Sequence, residues 1–169
     1  MFIDCSKVMT PQQLGSYAEK MFEAIIAHRH GKEAYLYRFP DTKDVRNHSI
    51  GESTAWIKKQ PADYLLAFLG GCAFCEIKAT ENKESFTLSR LRPEQKSTLR
   101  KLQLASVDYS VLVLRRTPAP AGGYEHTWYT LDRDFIQDAF DKGINKLYFK
   151  NLGGQQWVTG NLYLASAPI

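Results

Sequence analysis

Apolar and polar positions along this chain repeat with two different periods, and the periods divide it into elements. Thr10-Pro11-Gln12-Gln13 is a helix start: Thr10 can cap, Pro11 suits the first helical position, and Gln13 completes a capping box. Leu14, Ala18, Met21, Phe22 and Ile25 then recur at helical spacing, and Gly31 is placed to end the helix. Ala34 to Phe39 reads as a short strand halted by Pro40-Asp41. Asp41 to Gln60 is polar and without period, a long loop of the kind that often carries function. Two apolar runs follow, Asp63 to Leu69 and Cys72 to Ala79, separated by Gly70-Gly71, which is a hairpin signal. Pro93 opens a second helix with Gln95, Leu99 and Leu102 on one face, and Tyr109 to Arg115 is a strand apolar enough to be buried on both sides. Pro118 to Gly123 is a turn, His126 to Leu131 a strand, and about Asp134 to Lys142 a helix with Gly143 behind it. Strands near Lys146–Phe149 and Gln156–Leu164 complete the pattern. The alternation predicts one α/β domain over residues 1–169, with a mixed central sheet flanked by helices.

Composition narrows the class. With 169 residues, 44% hydrophobic and 24% charged, the chain reads as an ordinary globular domain with room for a real core. No apolar run approaches the roughly 18 residues of a membrane span, and the start lacks a basic segment followed by an apolar one. A cytoplasmic, non-membrane setting is therefore expected. Cys5, Cys72 and Cys75 are too few for a disulfide framework. Cys72 and Cys75 form a C-x-x-C, but residues three apart on a strand face opposite ways, so a zinc or redox pair is not expected.

The most informative segment joins Pro61-Ala62-Asp63 to Glu76-Ile77-Lys78. If Gly70-Gly71 make a two-residue turn, Leu69 pairs with Cys72, Leu65 with Glu76, and Asp63 with Lys78. Opposed residues share a face, as do residues two apart on one strand, so Asp63, Glu76 and Lys78 project from one side of the hairpin. Two carboxylates that close repel each other, and a hard cation such as Mg²⁺ relieves the repulsion while keeping open positions for phosphate. Mn²⁺ is expected to substitute. A lysine beside them suits the activation of water or the neutralisation of charge on a phosphate. The main-chain carbonyl of Ile77 is a further candidate ligand. Charge points the same way. The net charge is +4, and from Ala79 to Lys101 six basic residues (Lys83, Arg90, Arg92, Lys96, Arg100, Lys101) face three acidic ones. Nucleic acid is the polyanion this would serve, and a solvated helix face is the plainer alternative.

These residues resemble the P-D…(D/E)-x-K pattern of the restriction-endonuclease-like nuclease superfamily. The run from Asp63 through Lys78-Ala79-Thr80 to Pro93-Glu94-Gln95 is similar to RecU-type Holliday-junction resolvases, over Lys58 to Val113. The resemblance implies a restriction-endonuclease-like core and a Mg²⁺-dependent, structure-specific DNA endonuclease. It further implies a homodimer acting on branched DNA in recombination and repair. It also implies that Glu19, in Gly15-Ser16-Tyr17-Ala18-Glu19, is a metal ligand, with Glu23 as competitor, and that Gln95 contacts the lysine or DNA. Arg38, Lys58 and Lys59 become candidate DNA contacts, with Lys83, Arg90, Arg92 and Lys96 beyond them. The start is shorter than in RecU-type proteins, and the Asp41–Gln60 loop is what stands for their stalk. Two other readings remain: a phage or repair nuclease of this fold acting on linear or nicked duplex, and a non-catalytic DNA-binding module.

Overall fold

Helix α1 spans Pro11–His30, and its start is fixed by reciprocal bonds. The Gln13 N–H donates to the Thr10 hydroxyl (3.3 Å), and the Thr10 N–H donates to the Gln13 side-chain oxygen (2.9 Å). Leu14, Tyr17, Ala18, Phe22 and Ile26 form its buried stripe, while Met21 and Ile25 pack at the margins. Gly31 does follow the last turn, but with φ −56° rather than the left-handed cap that glycine makes easy. The structure, a computed structural model, describes residues 8–40, 60–68 and 70–152, and the backbone of 156–158. The Asp41–Gln60 loop up to residue 59, with Lys58 and Lys59, lies outside the described residues, as does the chain beyond Val158.

Strands β1 (Ala34–Arg38) and β3 (Gly71–Thr80) flank β2 (Tyr64–Phe68), each antiparallel to it. Strand β4 (Ser85–Thr87) and helix α2 (Pro93–Leu104) then lead to β5 (Asp108–Pro118), which lies parallel to β3. Strand β6 (Tyr124–Asp132) returns antiparallel to β5 through the predicted turn, where Gly122 and Gly123 take φ of +90° and +78°. Helix α3 (Arg133–Asp141), β7 (Lys146–Tyr148) and β8 (Gln156–Val158) follow. The main sheet has the order β1-β2-β3-β5-β6-β8, and β4 pairs with β7 in a small second sheet. The α/β class and the mixed sheet are as the sequence predicts. No described helix is long and apolar enough to cross a membrane.

The sheet separates two cores. One packs α1 on Tyr64, Leu66, Cys75, Ile77, Ala79, Leu112, Leu114 and Trp128. The other packs α2 (Leu99), α3 (Ile136, Ala139) and the small sheet on Tyr109, Val111, Val113, Tyr129 and Leu131. Neighbouring residues of β5 thus serve opposite cores, which is why Val111–Leu114 at its centre is unbroken apolar.

The hairpin differs from the sequence reading in one detail. Phe68 pairs with Gly71 and Tyr64 with Cys75, so Gly71 belongs to the strand and the turn is not Gly70-Gly71. Gly70 has φ +81°, the conformation only glycine adopts cheaply, and Gly71 is left to join β3. Continued one step past Tyr64, this register sets Asp63 opposite Glu76 rather than Lys78. The shared face survives.

Phe22 tests the first core. Its ring is fully buried, edge-on to Tyr64 (5.3 Å) and beside Trp128 (6.3 Å). Phe22→Ala should lower the unfolding free energy by about 3–5 kcal/mol, read by urea denaturation; a loss under 1 kcal/mol would mean that α1 is not seated there.

Candidate active site

Past the last paired residue of β2, the side chain of Asp63 continues the ladder. Its Oδ2 accepts the Ile77 N–H at 2.7 Å, a charge-assisted bond that ties the aspartate to β3. The Asp63 carbonyl accepts the Phe39 N–H at 3.0 Å, so the residue is held from both sides. In an extended strand a residue's N–H and C=O face the same edge. The Ile77 carbonyl is therefore directed along the edge on which Asp63 sits, as a ligand would be.

Glu76 lies one residue before Ile77 and so projects into the opposite core, beneath α2. Only 2% of it is exposed. A carboxylate that deep needs partners, and Glu76 has two on one oxygen: Lys78 Nζ, two residues along the same face, and Gln95 Nε2 from the first turn of α2. Gln95 is itself fixed, because its side-chain oxygen accepts the Arg92 N–H at 3.0 Å. Arg92 cannot accept in return, so this is half a capping box, with glutamine serving the helix by one end and the carboxylate by the other.

Burial pushes the Glu76 carboxyl up to about 7; the Asp63 charge pushes the same way, and Lys78 and Arg92 pull it back. The influence of Asp63 means that the two carboxylates lie close enough to repel. Among the described residues no three His, Cys, Asp or Glu side chains gather as a ready-made metal cage. Mg²⁺ does not require one: it binds through one or two carboxylates and fills its remaining positions with water and phosphate. Two mutually repelling carboxylates with a nearby carbonyl, all oxygen donors, fit such a cation better than a sulfur- or imidazole-seeking one.

The residues expected from the sequence divide into groups. Asp63, Glu76, Ile77, Lys78 and Gln95 come together. Glu19 sits on α1, on the other side of the sheet, where its carboxylate meets Arg38 (2.7 Å). Glu23, the competitor, accepts from the Tyr64 hydroxyl (2.7 Å) and lies 3.6 Å from Arg38. Arg38, expected to contact DNA, therefore already has carboxylate partners. Since Arg38 pairs with Tyr64 across the strands, this cluster adjoins Asp63 at the same end of the sheet. Lys83, Arg90 and Arg92 are exposed, and Lys96 is half-buried on α2. The sequence reading missed the Tyr64–Glu23 bond, whose only trace is a Glu one helical turn after Glu19. It also missed the influence of Arg92 on Glu76. Cys75 is buried with its thiol pushed up to about 12, chiefly by burial, and Cys72 is exposed; neither suits redox or metal chemistry as a pair.

Compared with known proteins, the chain matches no family model and no curated protein sequence.

The raised Glu76 gives a stability prediction. Between its ordinary value near 4.5 and about 7, the folded state holds the proton more tightly than the unfolded chain, so stability falls as pH rises through that window. Without divalent cations, Glu76→Gln should exceed the wild type in stability by roughly 2 kcal/mol at pH 8, with the gap closing toward pH 4.5. Urea unfolding in EDTA at both pH values measures it; a variant no more stable than wild type at pH 8 would contradict the assigned strain.

Proposed function

We propose that the chain is a Mg²⁺-dependent DNA endonuclease whose active site is Asp63, Glu76 and Lys78, with Gln95 as a positioning residue. The observation that carries the reading is the buried Glu76 carboxylate, held within reach of Asp63 and bonded to Lys78. A protein with no use for a carboxylate there would do better with an apolar side chain, since Glu76 lies among the residues of a hydrophobic core. That argues against a module that only binds DNA.

Asp63 and Glu76 are the residues to hold the cation, with the Ile77 carbonyl beside them. When bound, the cation supplies an acidified water and charge neutralisation at the scissile phosphate. The chain's own residues do the rest. The Ile77 N–H fixes the orientation of the Asp63 carboxylate. Gln95 and Lys78 both hold one oxygen of Glu76, which would leave the other for the cation. Lys78, 19% exposed in its side chain, orients the attacking water and offsets negative charge as the phosphorus–oxygen bond breaks. Arg92, exposed at the start of α2, extends positive potential over the mouth. The resemblance to RecU-type resolvases supports a branched DNA substrate and a homodimer that cuts two strands symmetrically.

The test uses labelled four-way junction, linear duplex and single strand, with Mg²⁺ or with EDTA. Mg²⁺-dependent nicking is expected, with kcat lowered about 100-fold or more in Lys78→Ala while DNA binding persists. Paired nicks in the junction alone support the branched substrate, and cleavage of linear DNA replaces it with a duplex nuclease. No Mg²⁺-dependent cleavage of any substrate would end the enzymatic reading.

A further inference from the structure

A second feature lies one step along α2 from Gln95. Lys96, Ser97, Arg100, Lys101 and Leu104 of α2 face Phe140 of α3 across a cavity of about 400 Å³. Lys96 Nζ stands 6.0 Å and the Arg100 guanidinium 5.5 Å from the centre of the Phe140 ring. Leu104, at the far end, is 87% exposed and so offers an apolar surface to whatever enters. Among the described residues no carboxylate pairs with Lys96, Arg100 or Lys101. Arg38, Lys78, Arg116, Arg133 and Lys142 do have acidic partners, whereas the α2 cations lie side by side with none between them. The groove thus combines three uncompensated positive charges and a hydroxyl with apolar walls.

That combination is the complement of a nucleotide, which has an anionic phosphate at one end and a flat apolar base at the other. A stretch of acidic residues alone would use the charges and leave Phe140 and Leu104 uncovered. Position supports the same choice. From Gln95, which touches Glu76, to Leu104 the helix rises roughly 13 Å. The groove thus begins within one helical turn of the residue that touches Glu76, close to where the cleaved phosphate would lie.

We propose that this groove is a subsite for an unpaired stretch of the DNA strand, with phosphates on Lys96, Arg100 and Lys101 and a base laid against Phe140 and Leu104. A base can occupy such a wall only when it is not paired, so the groove selects single-stranded DNA adjoining the cut. This inference rests on the nuclease reading for the identity of its occupant.

Binding in EDTA separates the two ideas, because it needs no cleavage. Fluorescence anisotropy is measured with a labelled twelve-nucleotide single strand and the matching duplex. The triple variant Lys96→Ala/Arg100→Ala/Lys101→Ala should bind the single strand at least about 30-fold more weakly at low salt. Its log–log salt dependence should be shallower by about 2, the share of three phosphates. Phe140→Leu, which keeps an apolar side chain and removes the ring, should weaken the single strand about 5-fold or more and leave the duplex unchanged. Should the triple variant fail to fold, Lys101→Glu at an exposed position makes the same test of charge. Unchanged affinity and salt slope would overturn the subsite, as would competition by polyglutamate equal to that by DNA. Loss of single-strand binding in a protein that never cleaves would keep the groove and reject the nuclease. Cleavage with unaltered binding in the variants would do the reverse.

Discussion

A carboxylate in a hydrophobic core is the constraint around which this molecule is arranged. Glu76 occupies the middle of the central strand β3, with β2 on one side and β5 on the other. Left alone there, its charge would be strongly destabilising. Lys78 offers opposite charge from the same strand, and Gln95 offers an amide from above. Each in turn depends on its own element: Lys78 on the alternation of β3, Gln95 on a helix start whose first free N–H it also satisfies. The site is thus continuous with the scaffold: Glu76 holds the start of α2 through Gln95, and Leu99 packs the same helix into the core.

The elements were legible because their signals are local. The capping box at Thr10, the glycines of the β5–β6 turn and the apolar run of β5 each declare themselves within a few residues. The convergence of Asp63, Glu76 and Lys78 was legible as well, since it follows from the two-residue period of a strand. What stayed hidden depends on long-range pairing. Arg38 and Glu19 each look, in sequence, like a residue waiting for a ligand; the fold brings them together, on elements separated by a turn. The sequence points to Gly70-Gly71 as the turn, and only the observed register sets it one residue earlier. The α2–α3 groove joins residues some forty positions apart, and nothing in the spacing of Phe140 suggests that cations will face it.

Charge in this protein is divided by use. Most of the pairs that bridge elements sit where two of them meet: Arg38 with α1, Arg116 with Glu81 after β3, and Arg133 with Asp108 at the start of β5. Arg116 is the extreme case, wholly buried against Tyr124 and paired with Glu81. Lys96, Arg100 and Lys101 of α2 form a separate population along one groove, on the helix that carries Gln95 to the buried carboxylate. A modest net charge conceals this division, because acids spent on internal pairs are unavailable to neutralise the outer face.

The sliding of the β2–β3 turn by one residue has a consequence for how this hairpin tolerates change in length. Moving the turn left the side of the sheet occupied by each residue untouched, because pairing shifted in steps of two. Adding or removing a pair of residues at the tip would likewise preserve the grouping of Asp63 with Glu76 and Lys78. A single insertion or deletion would rotate Asp63 into the α1 layer unless a bulge absorbed it. For this hairpin, the parity of its length matters to the chemistry more than the length itself.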